Sequence, residues 1–262
     1  MTDRDTDVPV TASRRVLRQE VLLVLALSIA ASAIYAVLSF IASATAEEAL
    51  RSQSTVLVSS RAPGRPWIDL GYQLARIVLA LAPVALAWHF LDRGGESLRS
   101  IGADLSQPGK DFVRGVALAA IVGGTGLALY LAAYAAGINL TVVPTSLPDV
   151  WWRAPVLVLL SIQNALLEEV LLAGFVLHRL QQLGWSPWRA VAVSAVLRAS
   201  YHLYQGIGGF IGNLAMGVLF ARLYQRWGRC MPLVVAHALI DIVAFLGWTV
   251  LVGRVGWLPA PQ

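Results

Sequence analysis

Repeated long apolar runs constrain this chain more than any other feature of its sequence. Each run holds about twenty residues with few charges, which is enough for a helix to cross the ~30 Å hydrocarbon core of a bilayer. Helices and closed barrels alone satisfy all their backbone hydrogen bonds in lipid. The chain is therefore predicted to be an all-α, polytopic transmembrane helix bundle of about seven spans. The seven runs are 20–44, 69–91, 113–136, 152–178, 188–205, 209–226 and 231–252.

The composition of the chain argues against a soluble protein. Its 262 residues are 57% hydrophobic and 13% charged, whereas a soluble domain carries about 25% charged residues. The formal net charge is +5, but the basic residues are scattered over short loops, so we expect the lipid bilayer as a partner and no nucleic acid. The single cysteine, Cys230, excludes an internal disulfide.

The basic residues also predict the direction in which the chain crosses the membrane. With the N-terminus in the cytoplasm, most of them lie on the cytoplasmic side, as the positive-inside rule requires. The short, arginine-rich chain favours an integral protein of the bacterial plasma membrane. The cytoplasmic residues are Arg4, Arg14, Arg15, Arg18, Arg93, Arg99, Lys110, Arg114, Arg179, Arg189, Arg222, Arg226 and Arg229. The residues on the opposite side are Arg51, Arg61, Arg65, Arg153 and Arg254.

Ionisable side chains inside the fourth, fifth and seventh runs predict a functional site. A charge at the bilayer centre costs at least ~2.5–3.5 kcal/mol, so such groups need partners or a wet cavity. At a rise of ~1.5 Å per residue, they lie at similar depths on the three helices. We therefore expect a polar site cavity in the C-terminal half of the bundle. The candidate residues are Glu168, Glu169, Arg198, His202, His237 and Asp241.

The spacing of these residues supports a common site. Three pairs lie four positions apart, and such pairs share one face of a helix. Glu168 and Glu169 are adjacent and point about 100° apart on an α-helix, so we expect one to face the site and the other a neighbouring helix. The three pairs are Asn164 with Glu168, Arg198 with His202, and His237 with Asp241.

Two hydrolytic chemistries suit glutamate and histidine in a dry cavity. A buried carboxylate near a cation can take a proton from water, while histidine and a polar Asp or Asn stabilise the oxyanion. Alternatively, zinc could be held by histidines and carboxylates and could activate the water. The residues by themselves do not decide whether the site uses zinc or no cofactor. The candidate zinc ligands are Glu168, His202, His237 and Asp241.

A transporter or proton relay is an alternative class of function, because intramembrane acids and histidines also mark ion paths. The chain shows no internal repeat of the kind that builds the inverted halves of many transporters. This observation makes the hydrolase the preferred interpretation.

Three segments of the chain resemble the motifs of a known family. "LLEEVLLAGFVL", "LRASYHLYQG" and "VVAHALIDIVAF" resemble the three motifs of the CAAX-protease and bacteriocin-processing intramembrane proteases, also called the CPBP or Abi family. The resemblance covers roughly residues 150–250. It implies a helical membrane bundle that cleaves a hydrophobic or prenylated peptide at the cytoplasmic membrane. The alternative is a catalytically inactive relative that acts as a membrane scaffold or a bacteriocin-immunity protein.

The resemblance also implies roles for individual residues. Glu168 matches the glutamate that activates water, and Glu169 matches its partner. His202 matches the histidine that helps to activate water. His237 and Asp241 match the third motif, which is assigned to stabilising the oxyanion. Members of the family have been described both as metalloproteases and as metal-free, glutamate-dependent proteases.

Three positions depart from the family pattern. Ala173 stands where an arginine is usual, Arg198 stands where an aromatic residue is usual, and Asp241 often is asparagine in the family. An ionised Asp241 can only accept hydrogen bonds. We therefore hypothesise that Arg198 supplies, from a neighbouring helix, the positive charge that is lost at Ala173.

The chain is thus predicted to have four parts. A cytoplasmic N-terminal tail at 1–19 precedes N-terminal transmembrane helices at 20–148. A protease-like core at 149–252 carries the candidate site, and a C-terminal tail follows at 253–262.

Overall fold

A computed structural model describes residues 13–259. The predicted N-terminal tail, including Arg4, therefore lies outside the described residues as far as position 12, and the C-terminal tail lies outside them from position 260. The helices are α1 (Arg14–Ala26), α2 (Ile29–Ala44), α3 (Pro66–Ala80), α4 (Ala82–Arg93), α5 (Pro108–Ala135), α6 (Arg153–Glu168), α7 (Leu177–Gln182), α8 (Pro187–Ser200), α9 (Ile207–Trp227) and α10 (Met231–Leu251).

Shorter elements complete the fold. A π-helical segment, Glu169–Val176, joins α6 to α7, and the three together form one long central helix. The strands β1 (Ser54–Val58) and β2 (Thr141–Thr145) pair in parallel, with Ser54 opposite Thr141. The 3-10 turns are Leu50–Ser52, Leu98–Ile101 and Leu203–Gln205.

The prediction of an all-α, polytopic helix bundle is confirmed. Within residues 13–259, five helical segments are long and apolar enough to span a membrane, and a sixth results if α1 and α2 count as one bent span. The count of about seven is therefore approximate. The five segments are Pro66–Arg93, Pro108–Ala135, Arg153–Gln182, Ile207–Trp227 and Met231–Leu251.

The first predicted span, 20–44, is not one straight helix. The chain bends by 47° between α1 and α2. The Ser28 hydroxyl donates to the Val24 carbonyl at 2.5 Å, and such back-bonding competes with the helical ladder. In addition, α1 already begins at Arg14, so part of the predicted tail is helical.

The fifth predicted span, 188–205, is shorter than expected. The helix α8 has 14 residues and is therefore ~21 Å long, less than the ~30 Å of the hydrocarbon core. Beyond it the chain turns, and Gly206 adopts a φ of 110° where it bridges to Asn139. A Cβ at Gly206 would lie 2.6 Å from the Asn139 side chain, so the reversal into α9 requires glycine.

The short parallel sheet was not predicted from the sequence. Each strand has five residues, and the partners are separated by α3, α4 and α5, so local propensity gave no sign of the pairing. The sheet joins the α2–α3 connection to the α5–α6 connection, which places these connections at the same end of the bundle.

The central helix, Arg153–Gln182, lies in the middle of the bundle. In its most apolar window 67% of the residues are buried, against 11% in Pro108–Ala135, which leaves much of α5 open to lipid. The helix α10 packs between α5 and α6, and α8 packs on α9. At the α8–α9 contact a Cβ at Gly217 would lie 2.8 Å from the Ala195 Cα, so glycine allows the two helices to approach closely.

Ion pairs fix the α7 end of the central helix. Arg179 is buried, and its Nε lies 3.0 Å from Glu20 Oε2 of α1. It also donates to Glu96, in the loop after α4, and His178 contacts the same carboxylate. Burial by itself raises the pKa of Glu96, but His178 and Arg179 outweigh it and hold the pKa below its ordinary value of 4.5.

Replacing Glu96 should weaken the fold in a pH-dependent way. A carboxyl whose pKa is lower in the folded state stabilises the fold above its ordinary pKa, and this contribution disappears as the pH falls through the folded-state value. Glu96→Gln should cost about 1–3 kcal/mol at neutral pH, because Arg179 loses a charged acceptor. The corresponding drop in Tm should be several degrees at pH 7, and it should shrink as the pH is lowered from about 5 to about 3.

Thermal unfolding of the detergent-solubilised protein, recorded across this pH range, measures the effect. Asp149→Asn is the matched control, because Asp149 forms a single ion pair with Arg153 but its side chain is 90% exposed, and its Tm should not change. A constant difference between Glu96→Gln and wild type at every pH would contradict the prediction.

Candidate active site

The two glutamates lie at the junction between α6 and the π-helical segment. Glu168 is the last residue of α6, and Glu169 is the first of the π-helix, in which hydrogen bonds run from residue i to i+5. Both side chains are buried. The Ser194 hydroxyl of α8 donates to the Leu172 carbonyl within this segment at 3.2 Å, which fixes α8 against it.

Arg198 of α8 contacts both glutamates. Its Nη1 lies 3.3 Å from Glu168 Oε2, and its Nη2 lies 2.5 Å from Glu169 Oε1. The guanidinium is 2% exposed. The expectation that one glutamate faces the site and the other a neighbouring helix is therefore wrong, because both belong to the site. The planar fork of arginine offers separate donors to each carboxylate, so two diverging side chains still meet on one cation.

Tyr201 is a member of the site that the sequence analysis missed. Its hydroxyl donates to Glu168 Oε2 at 2.5 Å, and the ring is buried. Tyr201 lies three residues after Arg198, which places both side chains on one face of the chain. This spacing, together with the position of Tyr201 directly before His202, is the sequence signal that could have identified Tyr201 as a site residue.

His237 connects the glutamates to α10. Its Nδ1 lies 2.7 Å from Glu169 Oε1, and its Nε2 lies 3.7 Å from Asp241 Oδ2. The predicted face that His237 and Asp241 share on α10 is therefore present. Asn164 Nδ2 of α6 donates to the same Asp241 oxygen at 3.1 Å.

His202 lies beside this network rather than within it. Its Nδ1 is 2.9 Å from the Arg198 carbonyl, and a carbonyl only accepts, so Nδ1 carries the proton. Nε2 of the neutral ring is then the nitrogen with a free lone pair. The ring centroid lies 4.5 Å from that of Tyr201, and the residue is half-buried.

The contacts form a continuous polar network through the apolar bundle. It runs from Tyr201 through Glu168, Arg198, Glu169 and His237 to Asp241 and Asn164. Three carboxyl groups and the His237 imidazole share this network with one arginine. Glu169 Oε2 is buried without a hydrogen-bond partner among the described residues.

One known family matches the part of the chain that holds the polar network. The sequence model of the type II CAAX prenyl endopeptidase Rce1-like family matches residues 150–243, and this region is similar to that family. All members of the polar network, from Asn164 to Asp241, lie inside the Rce1-like region. No curated protein and no solved structure gives a significant match to the chain.

The match covers less than half of the chain, and within that region the sequence is similar to CAAX-type proteases. Together with the apolar helices, it makes the chain an integral membrane protein. A peptide substrate that meets the enzyme in a lipid environment follows from the same family.

The predicted set of zinc ligands is not the set that the Rce1-like region brings together. Among the described residues, the acids and histidines that approach within 4.8 Å of one another are Glu168, Glu169 and His237. Neither His202 nor Asp241 belongs to this group. The reason is geometric, because Glu169 reaches His237 from the π-helix and Asp241 lies on the other side of the imidazole.

Arg198 would compete with a zinc ion for the carboxylates of this group. Two carboxylates and an imidazole are suitable ligand types, but Arg198 already binds an oxygen of each carboxylate. A divalent cation bound to these oxygens would lie against the guanidinium and be repelled by it. Arg198 therefore supplies a positive charge next to both carboxylates.

Two surface depressions lie away from the site, one against Lys110 and Arg114 and the other against Arg222 and Arg226. The glutamates are closed in by their own hydrogen bonds. The half-buried members of the site, which are His202, Asn164 and Asp241, mark the side from which it can be reached.

Proposed function

We propose that this protein is an intramembrane endopeptidase that hydrolyses a peptide bond through water activated by Glu168 and His202. The substrate is a hydrophobic or prenylated peptide that reaches the site from the membrane. One observation carries the proposal above all. A buried glutamate, hydrogen-bonded by Arg198 and Tyr201, lies within an Rce1-like region.

In the proposed reaction Glu168 is the general base. Arg198 and Tyr201 donate hydrogen bonds to it, and such donors favour the ionised form that can take a proton. The water oxygen attacks the carbonyl carbon, and the water proton passes to Glu168. The tetrahedral intermediate then collapses, the carbon–nitrogen bond breaks, and the leaving amine receives that proton.

The other residues position these groups. The free Nε2 of His202 accepts a hydrogen bond from the attacking water, which orients its lone pair. Glu169 holds Arg198 and His237 in place, and His237, with Asp241, lies on the side where the oxyanion would develop. Ala173 is buried in the core and carries no charge. Arg198 therefore supplies the positive charge of the site.

Location and domain organisation remain predictions that accompany this function. The distribution of basic residues supports a cytoplasmic N-terminus, and we propose the bacterial plasma membrane as the location. The division into a tail at 1–19, helices at 20–148, a protease core at 149–252 and a tail at 253–262 is part of the same proposal.

A catalytically inactive scaffold or bacteriocin-immunity protein is the second candidate. It is favoured by the closed network, in which Arg198 and Tyr201 already occupy Glu168 Oε2. Such a protein would keep the ion pairs for stability and would bind a membrane partner without cutting it.

Peptide cleavage separates the two candidates. The purified protein is reconstituted in liposomes with a farnesylated peptide and, in parallel, with the same peptide lacking the lipid. We expect mass spectrometry to detect a new carboxyl terminus and a new amine from at least one of them, and the cleavage should survive a zinc chelator. Binding without any product from either peptide would support the scaffold.

A further inference from the structure

Asn164, which contacts Asp241, gives this site a hydrogen-bond donor that an ionised carboxylate at position 241 cannot supply. Asn164 Nδ2 donates to Asp241 Oδ2 at 3.1 Å, across the contact between α6 and α10. Both residues are half-buried, whereas Glu168, Glu169 and His237 are buried. The pair therefore lies at the edge of the network, where a substrate carbonyl can approach.

The chemistry of the two side chains assigns them different tasks. An ionised carboxylate has no hydrogen to donate, while a carboxamide carries two N–H groups. One N–H of Asn164 is used by Asp241, and the second is available to another acceptor. The carboxylate also fixes the orientation of the amide, because only the nitrogen end can face it.

Asn164 is also well placed relative to the proposed base. It precedes Glu168 by four residues, so both lie on one face of α6 with a rise of ~6 Å between them. A peptide carbonyl beside Glu168 can thus have its carbon near the attacking water and its oxygen toward the Asn164 amide.

We infer that the Asn164 amide, oriented by Asp241, donates a hydrogen bond to the oxyanion of the tetrahedral intermediate. This inference rests on the proposed endopeptidase function and names a catalytic residue for it. Asp241 acts as a positioning residue, and it is also 3.7 Å from His237 Nε2. The amide and the carboxylate have the same shape, so their positions can be exchanged without a change in volume.

An exchange of the two side chains tests the assignment. Asn164→Asp puts two carboxylates face to face and removes the amide, so kcat should fall about 10²–10³-fold while KM changes little. The double variant N164D/D241N rebuilds the pair with the amide on α10, and its kcat should return to within about tenfold of wild type. A merely structural role would lower Tm without this separation of kcat from KM.

The outcomes separate the inference from the proposed function. The wild-type protein must cleave the peptide in liposomes, and a wild type without cleavage would overturn the endopeptidase itself. Cleavage by Asn164→Asp at the wild-type kcat, or a folded N164D/D241N that stays as slow as the single variant, would overturn only the role of Asn164.

If Asn164→Asp does not fold, Asn164→Ala removes the donor without adding charge. That variant should show the same loss of kcat, and an unchanged kcat would reject the inference.

Discussion

Glu168→Gln should abolish peptide cleavage while leaving the helix bundle folded. General-base catalysis contributes about 10²–10⁴-fold to a rate, so kcat should fall by at least that factor. Glutamine has the shape of glutamate and can still accept from Tyr201 and Arg198 through its carbonyl oxygen. It cannot take a proton from water at neutral pH, and the loss should therefore appear in kcat.

The measurement compares initial rates of cleavage in liposomes with the Tm of the same preparations. Glu47→Gln is the matched control, because it makes the same chemical change at an exposed position in the connection after α2, and its kcat should equal that of wild type. A stable Glu168→Gln variant that cleaves at the wild-type rate would remove Glu168 as the base.

Arg198→Ala should have the largest effect on stability. Arg198 is buried and is the cation that contacts both Glu168 and Glu169. Removing one partner of a buried ion pair costs about 3–5 kcal/mol, because the remaining charge is left uncompensated in the interior. Here two carboxylates would be left facing each other, so we expect a strongly lowered Tm, poor yield of folded protein and no cleavage.

A second substitution should relieve part of this loss. In the double variant E169Q/R198A, the neutral glutamine removes one of the two repelling charges, and His237 keeps an acceptor through the glutamine oxygen. The double variant should therefore have a higher Tm than Arg198→Ala, and the difference measures the coupling between the two sites. Wild-type stability and activity in Arg198→Ala would refute the hypothesis that Arg198 replaces the charge lost at Ala173.

The membrane character and the region of the site follow from the sequence because they depend on local patterns. A long apolar run predicts a membrane span without knowledge of the rest of the fold. The free-energy cost of a charge in a bilayer likewise identifies Glu168, Arg198 and His237 as candidate site residues, whatever surrounds them. Spacing of four residues also places Asn164 with Glu168 and His237 with Asp241, since helix geometry is the same in every context.

The contacts between helices could not be predicted in the same way. Adjacent positions on a helix predict different directions for Glu168 and Glu169, yet a single guanidinium contacts both, because α8 approaches at the start of the π-helix. Tyr201 looked like an ordinary aromatic residue beside His202 until its hydroxyl was placed at Glu168.

By itself, then, the sequence determined that this chain crosses a membrane and which polar side chains must find partners there. The tertiary structure decided which partner each of them has. Helix periodicity fixes neighbours along one helix, whereas hydrogen bonds between α6, α8 and α10 depend on how closely those helices pack and on where each begins and ends.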